Sequence, residues 1–137
     1  RAAQMIYVTD THPLIFVVTG KLNRLGRKAR RIFQAAHEGR NVIVIPVPVL
    51  EEAMRLSERQ IIKFKMPFHR WAQEIDRAPN FQIQPYTLEI FLEVAGLSSI
   101  RDPADRAIVA TARHLGYSLI TADEQIQEGG WVETVWD

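Results

Sequence analysis

Short apolar runs alternate along the chain with longer stretches in which apolar residues recur every three or four positions. "MIYVT" (5–9) is a β-rich run that ends at Asp10. "VIVI" (42–45) is continuously apolar, the mark of a strand buried on both faces. "FQIQ" (81–84) alternates, "SLIT" (118–121) is a short apolar strand, and "VETVW" (132–136) reads as a closing strand. Helical spacing fills the intervals. "HPLIFVVTG" (12–20) predicts a short helix, with Thr11 as its cap and Pro13 tolerated in the first turn. Leu25, Ala29, Ile32 and Ala36 then recur at helical spacing, and Gly39 supplies the stop. "PVLEEAMRLSERQ", "FHRWAQEIDR" (68–77), "TLEIFLEVAGL" (87–97) and residues 103–115 continue the series, with a one- or two-turn helix after "SLIT". Strands alternating with helices predict a three-layer α/β fold around a mostly parallel sheet.

Composition narrows this only a little. At 137 residues and 47% apolar, the chain has enough apolar surface for one sizeable core. Residues 1–4, ahead of the first strand pattern, read as an appended segment or an N-terminal extension, leaving 5–137 as a single domain. The absence of cysteine excludes disulfides, zinc–thiolate sites and thiol nucleophiles, and it fits a reducing cytoplasm. No apolar run approaches the ~20 residues that span a bilayer, so no membrane role is expected. A net charge of +1 gives no global attraction to nucleic acid, so the distribution of charge matters more than its sum.

In parallel sheets, ligands bind beyond the carboxyl ends of the strands. Acids fall there repeatedly. Asp10 follows the first strand, Glu52 lies one helical turn past the second, and Asp123 comes just after "SLIT". Asp102 and Asp105 open the helix 103–115. Each has a plain structural explanation. "DPAD" is a capping arrangement, with Asp at the N-cap and Pro in the first turn, and "TADE" fits a capping box with Thr121 as the cap. Helical geometry separates the members of each pair. At 3.6 residues per turn Asp105 points with Ile108, Val109 and Ala112, the stripe that should face the sheet. Glu52 borders the apolar arc of Val49, Ala53 and Leu56, whereas Glu51 shares an outer face with Arg55. Carboxylates forced together raise each other's pKa, and a divalent cation resolves the conflict. All-oxygen ligation suits magnesium or manganese, which are used for phosphodiester hydrolysis.

These residues carry a resemblance. "IYVTDTHPLIF", "IPVPVLEEAMRL", "DPADRAIVATARHLGYSLITADEQI" and "VETVW" resemble, in the family's order, the PIN domain, and within it the VapC-like toxin nucleases. The resemblance spans nearly the whole chain from Met5 to Trp136. It implies a five-stranded parallel sheet flanked by helices and a Mg2+- or Mn2+-dependent endoribonuclease. By motif, Asp10 and Asp105 would contact metal directly, and Asp123 and Glu52 would complete the site. Thr121, Thr11 and Asp102 would support it. The family's chemistry leaves a 3′-hydroxyl and a 5′-phosphate. His12 stands where many relatives carry a small hydroxyl residue, and it is weighed as a phosphate contact or a helix-start residue. The same resemblance implies RNA as substrate, a cognate antitoxin as partner, and a possible homodimer.

Arg24, Arg27, Lys28 and Arg31 fall at i, i+3, i+4 and i+7, a basic stripe that reads as a phosphate track or a solvated face. Lys63, Lys65, His69 and Arg70 form a looser group, in which Phe68, Trp71 and Ile75 are at core spacing. Competing readings are a catalytically silent PIN-like binding module and a haloacid-dehalogenase-like phosphatase. The phosphatase wants a second Asp where this chain has His12. A receiver-like module would need a late-strand lysine that "SLITADEQ" does not offer.

Overall fold

The computed structural model describes residues 5–137, so the reading of residues 1–4 lies outside the described residues. Five strands, β1 (Met5–Thr9), β2 (Asn41–Pro46), β3 (Phe81–Gln84), β4 (Ser118–Ile120) and β5 (Thr134–Val135), form one sheet in the order β3-β2-β1-β4-β5. Every neighbouring pair is parallel, so the sheet is wholly rather than mostly parallel among the described residues. The helices are α1 (Thr11–Val18), α2 (Arg27–His37), α3 (Val47–Glu58), α4 (Phe68–Arg77), α5 (Leu88–Ala95), α6 (Pro103–Leu115) and α7 (Glu124–Gly129). None is long and apolar enough to cross a membrane.

Alternation along the strands distributes side chains to two layers. Val8, Val44 and Leu119 pack with the helix stripes of α3, α4, α5 and α6. Their neighbours Tyr7, Ile43 and Ile120 pack with Leu25, Ala29, Ile32, Phe33 and Ala36 of the α2 layer. Helix α6 is buried as its spacing predicts, with Ile108, Val109 and Ala112 at 0% exposure. Full burial of side chains the size of Ile108 and Val109 stabilises by roughly 1.5–3 kcal/mol each. Gly116 ends α6 in a left-handed conformation, and Arg106 ties the helix to α5 by donating from Nε to the Val94 carbonyl oxygen at 3.0 Å.

Three boundaries differ from expectation. The cap of α1 is Asp10, not Thr11, because Oδ1 of Asp10 accepts from the Thr11 N–H at 2.8 Å and leaves Thr11 as the first helical residue. The helix expected from Leu25 starts at Arg27, and Leu22–Arg24 form a separate 3-10 turn. Extended backbone at Gly26 breaks the two apart, and the Ala29 N–H donates to the Trp136 carbonyl oxygen at 3.0 Å. The closing strand contracts to Thr134–Val135, since β4 offers only a short partner at this edge of the sheet.

The order of strands positions the site. From β1 the chain builds outward through β2 and β3, then crosses back to place β4 and β5 on the other side of β1. The order therefore reverses between β1 and β4, where α/β sheets open a crevice beyond the strand ends. Asp10 leaves β1 there, and Thr121 leaves β4.

Candidate active site

Asp10 is the buried centre of the crevice, 8% exposed. Besides capping α1 through Oδ1, it accepts from the Thr121 hydroxyl at Oδ2, 2.7 Å away. Burial pushes its carboxyl above the usual range. The hydrogen bonds from Thr121 and Thr11 oppose that rise, Glu52 adds repulsion and His12 eases it. Thr11 works twice, since its hydroxyl also donates to Oε1 of Glu52. That contact holds Glu52, half-buried on α3, toward Asp10, while Glu51 stays exposed. Among the described residues Glu51 forms no ion pair with Arg55, so the outer-face partnership does not close.

Thr121 does not cap α7 as the capping-box reading had it. Asp123 is the cap, with Oδ1 accepting from the Ile126 N–H at 3.0 Å. The Thr121 hydroxyl accepts instead from the Asp123 N–H at 3.1 Å while donating to Asp10. One threonine thus joins the acid after β1 to the acid after β4.

Asp102 caps α6, accepting from the Asp105 N–H at 3.0 Å, and is exposed. Asp105 is half-buried and aimed inward, and its carboxylate has no hydrogen-bond partner among the described residues. Its carboxyl is pushed from 3.8 up to about 7, first by burial and then by the charges of Asp10, Asp102, Asp123 and Glu52. All four other candidate acids therefore act on this one group. The structure brings the five together, from four separate places in the sequence.

The fit to a cation can be judged from these contacts. Among the described residues no three acidic or imidazole side chains stand close enough to enclose a metal ion. Asp10, Glu52 and Asp123 are held by hydrogen bonds of their own. Magnesium keeps several waters and binds through one or two carboxylates, so it does not need a protein cage. An all-oxygen donor set that includes the carboxylate of Asp105, without a hydrogen-bond partner of its own among the described residues, fits such an ion. A cleft of about 560 Å³ opens over Asp102, Asp105 and Asp123. Arg101 and Trp131 stand in its wall, and neither was singled out from the sequence. The one signal was "GGW": a Cβ on Gly129 would lie 1.9 Å from the Trp131 ring, so a larger residue there would displace that ring.

The basic residues do not gather at the acids. Arg27, Lys28 and Arg31 are exposed on α2, in the layer against Tyr7 and Ile120. Arg24 leaves the expected stripe because it sits in the 3-10 turn, its guanidinium 5.5 Å from the Phe16 ring centroid. His12 is exposed, its ring 6.4 Å from that of Phe16. Phe64, Phe68 and Trp71 pack on one another, with Phe64 and Trp71 stacked at 4.5 Å, as core aromatics rather than free rings.

Known proteins share this architecture. A chain in the structure of VapBC2 from Rickettsia felis, bound to a DNA fragment from its promoter, superposes with a TM-score of 0.71 at 17% identity, covering 97% of this chain and 100% of that one. A chain in DNA-bound VapBC from Salmonella typhimurium gives 0.67 at 15% identity, with coverages of 96% and 98%. FitAcB from Neisseria gonorrhoeae gives 0.61 at 15% identity, with coverages of 93% and 95%. At such identities the likeness is one of fold. No curated protein sequence matches the chain. The PIN domain family model, however, matches residues 7–131, nearly the full length, and the chain belongs to the PIN domain family.

Proposed function

We propose that the chain is a divalent-cation-dependent endoribonuclease, the toxin of a VapBC-type toxin–antitoxin pair, built as one nuclease domain over residues 5–137 and acting in the cytoplasm. The observation that carries the reading is Asp105, a half-buried carboxyl without a hydrogen-bond partner among the described residues, on which four converging acids act. Asp10, Asp105, Asp123 and Glu52 would hold Mg2+ or Mn2+, which when bound neutralises phosphoryl charge and acidifies water.

The chain's own residues do the rest. Thr121 and Thr11 set the Asp10 and Glu52 carboxylates in fixed orientations. One carboxylate of this set serves as the base for the attacking water. Attack in line on phosphorus expels the 3′-oxygen, which takes up a proton and leaves a 5′-phosphate. Arg101, on the cleft wall, suits a non-bridging phosphate oxygen.

Two partner readings accompany this. The similar folds occur in VapBC complexes, which supports a cognate antitoxin that covers the acidic cleft. On α5, Leu88, Phe91 and Leu92 present one apolar face at 67%, 53% and 61% exposure, and this supports a homodimer contact.

The test is cleavage of assorted RNAs by the purified chain with Mg2+ or Mn2+, beside an Asp105→Asn variant and a chelator control. Cleavage that needs both the cation and Asp105 supports the reading. Equal cleavage by both proteins, or none under any condition in chain free of antitoxin, overturns it.

A further inference from the structure

A second groove, of about 500 Å³, lies between α1 and the end of α3. One face of α1 forms its wall, since His12, Ile15, Phe16 and Thr19 fall at i, i+3, i+4 and i+7. Leu56 and the segment from Gln60 to Lys63 face them, with Lys21 and Arg24 also in the lining. The cationic side chains Lys21, Arg24 and Lys63 line this groove, with His12 beside them, and no carboxylate does. Its charge is thus opposite to that of the acidic cleft. It begins at His12, two residues beyond Asp10 and close enough for the two charges to interact.

The turn at the end of α3 is an independent sign. The Gln60 N–H donates to the Ser57 carbonyl at 3.0 Å and the Ile61 N–H to that of Leu56 at 2.9 Å, the paired bonds of a Schellman ending. That ending needs a left-handed residue, and glycine is the residue that adopts it without strain. Gly20, Gly39, Gly116 and Gly130 have positive φ here; Gln60, at φ 59, is the only non-glycine to do so among the described residues. Residues held in such conformations cluster at active sites and ligand clamps. Gln60 lines the groove, and its amide can both donate to and accept from a base edge.

We infer that this groove is the subsite for single-stranded RNA flanking the scissile phosphate. Lys21, Arg24 and Lys63 take backbone phosphates, the exposed His12 ring meets a base face, and Gln60 reads a base edge. The α1 face from His12 to Thr19 runs about 10 Å at 1.5 Å per residue, room for roughly three stacked nucleotides at 3.4 Å each. The inference rests on the ribonuclease reading and adds the path and a reader to it.

The test uses a short fluorescent single-stranded RNA of mixed sequence, bound in chelator so that no turnover occurs, by anisotropy across a salt series. A Lys21→Ala, Lys63→Ala double variant is expected to weaken binding about tenfold and to lower the salt slope by about 1.4. Gln60→Gly is expected to keep the melting temperature within ~3 °C, since glycine relieves the strain but loosens the unfolded chain. It should still flatten the preference among homopolymeric RNAs. Unchanged binding and preference in these variants, with Asp105-dependent cleavage intact, overturns the subsite and leaves the nuclease standing. Absence of both binding and cleavage in the parent chain overturns the nuclease reading itself. Variants that bind RNA normally but no longer hold a co-expressed antitoxin make the groove a protein site and overturn the inference.

Discussion

Helix starts in two regions of this molecule are built in opposite ways. At α2 no side chain caps the helix; the Trp136 carbonyl oxygen takes the Ala29 N–H, and Gly26 lies so close that a Cβ there would come 2.4 Å from that oxygen. Around it Leu25, Ala29, Ile32, Phe33 and Ala36 are all buried. At the acidic edge the starts of α1, α6 and α7 are capped by Asp10, Asp102 and Asp123, all members of one crowded group. Backbone N–H groups and the positive ends of helices offset the charge of those three. Asp105 caps nothing, and its carboxyl is driven up to about 7, while burial raises Asp10 despite its cap. The α2 start is optimised for packing. The acidic edge keeps repulsion that helix ends only partly relieve.

The contrast predicts a separation of activity from stability. Asp105→Asn should lower RNA cleavage by about 10³-fold, as for loss of a carboxylate that holds the cation or takes the proton of the attacking water. In chelator at pH 8 the same variant should be more stable than the parent, by on the order of 1 kcal/mol once solvent screening of a half-exposed carboxyl is allowed for. A less stable variant would deny that the edge is strained. Gly26→Ala should do the reverse, lowering stability by about 2–4 kcal/mol in denaturant titrations because a backbone carbonyl must shift. Its cleavage rate per folded molecule should hold. A matching loss of rate would join the two regions.

Changing pH sharpens the comparison further. Between the ordinary 3.8 of Asp105 and its folded value of about 7, the folded chain holds a proton that the unfolded chain has released. Unfolding free energy should therefore fall as pH rises through that window, in chelator. Burial drives Asp10 the same way. Melting curves from pH 5 to 8 should show the fall in the parent, a shallower one in Asp105→Asn, and recovery on adding Mg2+. The smallest effect is expected at Asp102→Ala, which removes one cap and costs about 1 kcal/mol, with cleavage reduced less than tenfold. A loss as deep as that of Asp105→Asn would make Asp102 a reacting group rather than a cap.

Much of this was legible in the sequence, because the signals are local. Period-two and period-3.6 patterns placed the five strands and seven α-helices but not the 3-10 turn at Leu22–Arg24, and the α6 stripe alone showed that Asp105 faces inward. Errors came where adjacent residues were equally good locally. Thr11 and Thr121 are sound caps by type, but the aspartates beside them took that role. The deciding contact is the Thr121 hydroxyl on Asp10, between residues 111 apart in sequence. Similarly, the stripe through Arg24 assumed one continuous helix, which the meeting of Gly26 with Trp136 interrupts.

Periodicity by itself determined the elements and which side of each is apolar, since side-chain direction follows from backbone geometry within a few residues. Only the tertiary structure decided the order β3-β2-β1-β4-β5, and with it the meeting of acids from the ends of β1 and β4 with those of α3 and α6. The cationic groove that joins Lys21 to Lys63 was likewise decided there. Strand order and groove closure depend on how finished elements pack against one another, and that is a property of pairs of surfaces which no single segment carries.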